Sequence, residues 1–468
     1  MPKISEFEHA PKSAWTVYSS KKHRAAMDKM AAEYMAFLSR GKTERLVMDW
    51  VRGQAVPAGF DADLGGKAVL RVERGKTAFL ARRGKRPLSE GFRLIGAHAD
   101  APRLDFKQHP LYEDTELCLA KTHYYGGIRK YQWLTIPLAI HGVVVKTDGV
   151  VVPVAVGDEP GDPVLVITDL LPHLAYKEVE KKVADAFEAE KLNVVLGQSP
   201  DPEGAAKGRK SEDDDGPAKG AVKAHILRLL HERYGIREAD FFSAELQVVP
   251  AGPARFVGLD RALIGGYGQD DRSSVYCALR ALLDEPDPEH TQIALFWDKE
   301  EIGSEGSTGA KSLFFEYTLE ELVEAWEPGT KLSRVLRAGQ ALSADVSPAV
   351  DPNFKDVNEE RNAAFLGYGP CFNKFTGHRG KVGANDAHPE FIAGLRRLLD
   401  DAGVPWQMSE LGKVDLGGGG TVAKFLAVYG MDVIDIGASV LNMHSPFELT
   451  AKADIYATTL AFRAFFRS

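Results

Sequence analysis

Thr291–Trp297 reads TQIALFW, an apolar run with no polar face, and Asp298, Lys299, Glu300 and Glu301 follow it at once. Such a run, short and bounded by charge, reads as a strand buried on both sides. Strands of that kind belong to parallel sheets covered by helices on each face. In open parallel sheets, functional groups gather just beyond the carboxyl ends of the strands. Two adjacent glutamates at such an end repel each other and lose hydration, so a compensating positive charge has to lie close by.

The remainder of the chain carries the same rhythm, with one interruption. RAAMDKMAAEYMAFLSR, Arg24 to Arg40, places Met27, Met30, Ala31, Met35 and Leu38 on one helical face. AVLRVERGKTAFLARRG reads as a hairpin turning near Gly75, and FRLIGAHADAPRLDF as a buried strand running into a loop near His98. From residue 107 to residue 250 the texture changes to β-branched runs broken by turns such as KTDG. Within that stretch, residues 197–220 are polar and rich in Gly and Pro, as expected of a mobile loop. After Ala251 strand and helix patterns alternate again: DRSSVYCALRALLDE, TQIALFW, FIAGLRRLLDDAG, MDVIDIGAS and KADIYATTLAFRAFF. The expected fold class is therefore α/β. One domain, layered α/β/α and built from residues 1–106 and 251–468, is interrupted by a β-rich insert, 107–250. A length of 468 residues is ample for such a domain and an insert.

Composition excludes several classes. A net charge of −8 argues against general nucleic-acid binding, which favours a basic surface. No apolar run approaches the ~18 residues of a membrane span, and the N-terminal stretch lacks an apolar signal core. Cys118, Cys277 and Cys371 are too few and too scattered for a disulfide framework or a cysteine metal site, so a cytoplasmic location is expected.

The strand ends define the chemistry. FRLIGA is followed by His98 and Asp100, ALIGGYG by Asp270 and Asp271, TQIALFW by Asp298, Glu300 and Glu301, QALSA by Asp345, and MDVIDIGASVLNM by His444. Imidazole and carboxylate oxygen are the ligands zinc accepts. Two divalent ions need a shared anion between them, and a nearby carboxylate that binds no metal can then take a proton from water. The opening doublet fits that division of labour, with one glutamate on metal and its neighbour as base. Asp100, two residues past His98, is placed to accept its second ring N–H and fix the tautomer.

The motifs AHADAPRLD, GQDDRSSVYCAL, DKEEIGSEGSTGAKS, SADVSPAVDPNF and MHSPFE occur together and in order, so the sequence resembles the aspartyl aminopeptidase family of co-catalytic zinc aminopeptidases, in its bacterial form. The resemblance runs from about residue 12 to the C-terminus and implies His98 and Asp345 on one metal, Glu301 and His444 on the other, and Asp270 bridging. It implies that Glu300 is the general base and then the acid, and that Asp100 orients His98. His141 matches the histidine that reaches a neighbouring subunit's active site. It further implies that residues 107–250 form a dimerisation domain and that dimers assemble into a dodecamer. The cofactor would be two divalent ions, zinc first, with cobalt or manganese as substitutes. A metal-bridging hydroxide would cleave the first peptide bond of substrates with a free N-terminus, and the family name suggests an acidic first residue. Arg379 and Lys381 in GHRGK could attract one, with a solvated charge run as the equal alternative.

Plainer readings exist for several of these residues. Asp271 suits a helix N-cap, and His109, His123, His378 and His388 suit surface or polar-network roles. VDLGGGGTVAKF lacks the GxxxxGK[ST] spacing of a phosphate loop and reads as a tight backbone loop beside the active site. The rival functions are a di-metal carboxypeptidase or N-deacylase with the same ligands, and a non-enzymatic shell protein that uses metal only to fold.

Overall fold

A computed structural model describes residues 7–200 and 220–468 of the chain. The chain divides into two compact units. One comprises the chain up to Ala101 together with Pro253–Met443 and Phe447–Ser468; the other comprises Pro102–Gly252 and His444–Pro446.

The first unit is built on an eight-stranded sheet. Its order is Ala68–Glu73, Thr77–Arg82, Thr291–Trp297, Phe92–His98, Gln340–Ala344, Asp432–Gly437, Cys371–Asn373, Gln407–Met408. The four strands from Thr291–Trp297 to Asp432–Gly437 are parallel. On one side the Ala68–Arg82 hairpin, turning through Arg74 and Gly75, joins antiparallel. On the other, Cys371–Asn373 is antiparallel to Asp432–Gly437. The sheet is thus parallel through its centre and mixed toward its edges, where Gln407–Met408 is again parallel to Cys371–Asn373.

Alternate residues of the parallel strands feed two separate cores. Ile95, Ala97, Ala294, Phe296, Leu342, Ala344, Ile434 and Ile436 pack with Met27, Val275 and Phe462 from helices Lys21–Arg40, Gln269–Asp284 and Lys452–Arg467. Leu94, Ile293, Leu295, Ala341 and Val433 pack on the other face with Phe315, Leu319 and Leu322 of helix Phe314–Trp326. This two-faced burial is why TQIALFW shows no polar alternation. Helix Lys21–Arg40 begins three residues earlier than its apolar periodicity suggests, because the Ser20 hydroxyl accepts the His23 N–H at 3.2 Å and caps it.

ALIGGYG departs from expectation. Leu263–Gly266 lies in a separate five-stranded sheet, antiparallel to Glu448–Ala451. Asp270 is therefore carried by the first turn of helix Gln269–Asp284, not by the end of a main-sheet strand.

The second unit has a seven-stranded sheet, Val151–Val156, Leu138–Val145, Ala244–Pro250, Arg103–Asp114, Leu117–Tyr125, Val194–Gly197, Val166–Ile167, with every neighbouring pair antiparallel. It also holds helix Ala221–Tyr234, which β-branched texture alone did not announce. Of the polar stretch expected as a mobile loop, Gly197 ends a strand and residues 201–219 lie outside the described residues.

Leu295 has no exposed surface and sits mid-strand among Leu94, Phe315 and Leu319. Leu295→Ala is expected to cost about 2–5 kcal/mol through lost burial and the cavity left behind. A lowered denaturation midpoint with an unchanged circular dichroism spectrum at low temperature is the expected result.

Candidate metal centre

Parallel register sets the level of the site. Trp297 is paired with His98, and Ser343 with Gly96, so Asp345 continues to the level of His98 on the other flank. Three neighbouring strands therefore release His98, Asp298 and Asp345 at one end of the sheet. Gly437, at the end of Asp432–Gly437, allows the Asp345 segment to approach closely: a Cβ there would stand 2.0 Å from the Asp345 carbonyl oxygen.

Asp270 and Asp271 reach the same place from helix Gln269–Asp284, whose first turn is not helical at these two residues. Glu448 holds that turn by accepting the Gln269 N–H at 2.5 Å and the Asp270 N–H at 3.2 Å on one oxygen. Arg272, fully buried, donates to the Ala99 carbonyl at 3.0 Å and so ties the helix start to the segment after His98.

His98 is the hub. Its Nδ1 lies 3.1 Å from the Asp100 carbonyl oxygen and 3.3 Å from Asp100 Oδ1. Both are acceptors, so Nδ1 carries a proton and Nε2 is the ring nitrogen directed at the carboxylates. Nε2 stands 3.3 Å from Asp270 Oδ1 and 3.9 Å from Asp345 Oδ1. The His98 N–H reaches Asp271 Oδ2 at 3.4 Å.

Asp100 does more than orient the imidazole. Its Oδ1 accepts the Glu300 N–H and its Oδ2 the Glu301 N–H, each at 3.1 Å. One buried carboxylate thus fixes both the histidine and the backbone of the glutamate doublet.

Two overlapping groups have the composition of a metal site: His98, Asp270 and Glu301, and His98, Asp271 and Asp345, with ligand atoms within 4.8 Å of one another in each. One imidazole nitrogen with carboxylate oxygens is a donor set that suits zinc. The electrostatics agree. Burial pushes the Asp345 and Asp271 carboxyls well above the usual carboxylate range, and the charge of Asp270 pushes both further. Burial pulls the His98 imidazolium down, but hydrogen bonds to Asp100 and Asp270 and the charges of Asp100 and Asp345 outweigh it and leave the ring well above its ordinary value. Crowding raises the proton affinity of these carboxylates, and a divalent cation is the charge that would compete with protons for them.

The described residues bring together His98, Asp100, Asp270, Glu300, Glu301 and Asp345. Two expected members stand in the second unit. His444 has its Nδ1 2.9 Å from the Gly127 carbonyl oxygen. His141, buried, has its Nε2 2.7 Å from Asp158 Oδ2, and the other Asp158 oxygen accepts the Gly252 N–H at 2.6 Å. Asp271 is the last non-helical residue before the regular helix, the position at which the sequence suggested a cap, and its carboxylate also accepts the His98 N–H. Residues 415–421 form an irregular loop held by Gly418 N–H to Leu411 O and Gly377 N–H to Gly419 O.

Residues 37–466 match the family described as aminopeptidase I zinc metalloprotease (M18). A Clostridium acetobutylicum protein named "Probable M18 family aminopeptidase 1" is 46% identical over 466 residues, covering 97% of each chain. The solved M18 aminopeptidase of Thermotoga maritima is 44% identical, with a TM-score of 0.90 over 98% of this chain and 100% of that one. An S. cerevisiae mApe1 dodecamer is 20% identical with a TM-score of 0.74 over 94% of this chain and 96% of that one, a likeness of fold.

Asp100→Asn removes the charge that holds His98 and the doublet. Zinc affinity is expected to fall by about 10–100-fold, as read by competition with a chromogenic chelator. The raised proton affinity of His98 and Asp345 sets protons against metal at the same atoms, so zinc uptake should release protons and its apparent affinity should rise with pH. Calorimetry in buffers of different ionisation enthalpy measures that release directly.

Proposed function

Because the chain belongs to the M18 family of zinc metalloproteases and is a peptide hydrolase of the aminopeptidase kind, we propose that it removes N-terminal residues at the His98-centred cluster with two divalent ions. The observation that carries this reading is the double grip of Asp100, on His98 Nδ1 at one side and on the Glu300 and Glu301 N–H groups at the other. His98 and Asp345 would hold one ion and Asp270 would lie between the two. The family pattern gives Glu301 and His444 to the second, and Asp271 stands beside Asp345 as a further oxygen donor.

Bound ions supply Lewis acidity, which polarises the first peptide carbonyl and makes water acidic at neutral pH. The chain's own groups do the rest. Asp100 keeps the His98 proton on Nδ1 and presents Nε2 to metal. Glu300, next to a ligand but not one itself, accepts the proton of the attacking water and returns it to the departing amine nitrogen. Burial of His98, Asp270 and Asp271 keeps bulk water from screening these charges. An acidic first residue would be drawn by Arg379 and Lys381.

Residues 107–250 are proposed as a dimerisation domain, with His141 serving a neighbouring subunit, and a dodecamer built from dimers is supported by the assembly of the yeast relative. The cysteines are free and buried, and no helix among the described residues is long and apolar enough to cross a membrane; a cytoplasmic place is consistent with both.

Glu300→Gln is expected to lower kcat by about 10²–10⁴-fold while bound zinc per chain stays at the wild-type value. Near-normal turnover in that variant would remove Glu300 from its role. An aminoacyl substrate scan should favour Asp and Glu at the first position, and Arg379→Ala with Lys381→Ala should raise KM for those substrates alone. Equal turnover of alanyl and aspartyl substrates would refute the acidic preference.

A further inference from the structure

The main chain from Asp298 to Thr308 carries the Glu300–Glu301 pair, and it is closed by contacts that neither glutamate makes. Asp298 is fully buried. Its Oδ1 accepts the Lys299 N–H at 2.8 Å, and its Oδ2 accepts Lys299 Nζ at 2.7 Å and the Thr308 hydroxyl at 2.9 Å. The Asp298 N–H donates to the Thr308 carbonyl at 3.2 Å. The same carbonyl accepts the Thr77 hydroxyl at 2.6 Å, from a strand of the main sheet. Both ends of the loop are therefore tied to each other and to the sheet.

Between them the chain turns sharply. Lys299 has φ +68°, in the left-handed region that a lysine seldom adopts. Its carbonyl accepts the Ser304 N–H at 2.7 Å, so the turn is built into the loop. The lysine stem runs over Gly306, where a Cβ would come within 3.0 Å of Lys299 Cδ and 3.1 Å of Cε. A left-handed residue held at both its N–H and its ammonium by one buried carboxylate is over-determined, and strain of that sort persists only where the surroundings enforce it.

We propose that Asp298, Lys299 and Thr308 form a positioning clasp that sets the direction in which Glu300 and Glu301 leave the backbone. The inference rests on the reading that Glu300 moves the proton and Glu301 holds metal. The clasp converts the end of a rigid buried strand into a fixed exit angle. Asp100 holds the N–H groups of the doublet, and the clasp holds the residues just before it. Without the clasp, Asp100 fixes two amides but not the approach of the chain. None of the three clasp residues is assigned a contact with the substrate; they act through the glutamates, as positioning residues.

Four single substitutions in the full chain test this: Thr308→Val, Thr308→Ser, Lys299→Ala and Lys299→Gly. Thr308→Val and Lys299→Ala are expected to lower kcat by about 10–100-fold, the scale of a small misplacement of a reacting group, with KM essentially unchanged. Zinc affinity, read by chelator competition, should weaken in both because Glu301 shifts. Thr308→Ser keeps the hydroxyl and should recover most of the loss. Lys299→Gly separates the clasp from simple stability. Glycine accepts φ +68° without strain, so it should regain the thermal midpoint that Lys299→Ala loses, yet leave kcat low. Wild-type kcat and zinc affinity in Thr308→Val and Lys299→Ala would overturn the proposal, and so would recovery of kcat together with thermal midpoint in Lys299→Gly. Lys299, with 24% of its side chain exposed, keeps the test available should Thr308→Val not fold. Full turnover in Glu300→Gln would instead overturn the assignment on which the clasp depends, so the two failures are distinguishable.

Discussion

The buried Asp100 carboxylate is the interaction on which the rest of the site depends. It has no exposed surface, and it faces one side-chain N–H and two backbone N–H groups drawn from two different segments. A buried carboxylate is tolerable only when its oxygens are fully occupied by donors. That requirement forces the His98 ring and the Glu300–Glu301 backbone to meet at one point. Remove the charge, and both the tautomer of the histidine and the placement of the doublet lose their cause. The sheet contributes the other half of the constraint. Strands Phe92–His98 and Thr291–Trp297 are neighbours in parallel register, so their carboxyl ends emerge side by side and Asp100 needs to span only a short gap.

The site's precision is inherited from the two cores beneath it. Residues alternating between the two faces of the parallel strands are apolar on both, so neither face can slip by one residue without placing apolar side chains where charge emerges. The same logic explains where the sheet changes character. The hairpin Ala68–Arg82 and the short strands Cys371–Asn373 and Gln407–Met408 sit toward the edges and deliver no ligand, and pairing turns antiparallel where the hairpin and Cys371–Asn373 join the parallel centre.

Much of this was legible in the sequence because it follows from period and position. A largely apolar run ending in charge declared the central strand, and groups at the strand ends or within four residues past them, His98, Asp298, Glu300, Glu301 and Asp345, are those that converge. The α/β class and the membership in the aminopeptidase family stand on the same motifs. Legibility failed where geometry is set by contacts distant in sequence. Asp270 and Asp271 enter from a helix start that Glu448 bends, and a tenuous strand pattern in ALIGGYG pointed to the wrong sheet. Asp271 keeps its place just before the regular helix, and its contact with the His98 N–H is a long-range one that no local rule announces. Helix Ala221–Tyr234 was hidden because a module that is mostly β-branched gives no reason to expect one. The second role of Asp100, on the doublet's backbone, leaves no trace in sequence, since an amide N–H is common to almost every residue.

The charge pattern explains why so many acids are assembled around a single imidazole. Asp270, Asp271 and Asp345 crowd one another, and burial alone pushes Asp271 and Asp345 toward the protonated form. If structure were the only purpose, apolar residues of similar size would serve better, since unpaired buried carboxylates destabilise a fold. The arrangement makes sense when the natural occupant is a multivalent cation, because each carboxylate that raises its neighbour's proton affinity also raises the affinity for metal. Protons and metal then compete for the same oxygens, and the equilibrium tips toward metal as pH rises. The Glu300–Glu301 doublet follows the same logic: two adjacent negative charges are costly at a bare strand end, and become useful where one can bind a cation and the other remains beside it to carry a proton.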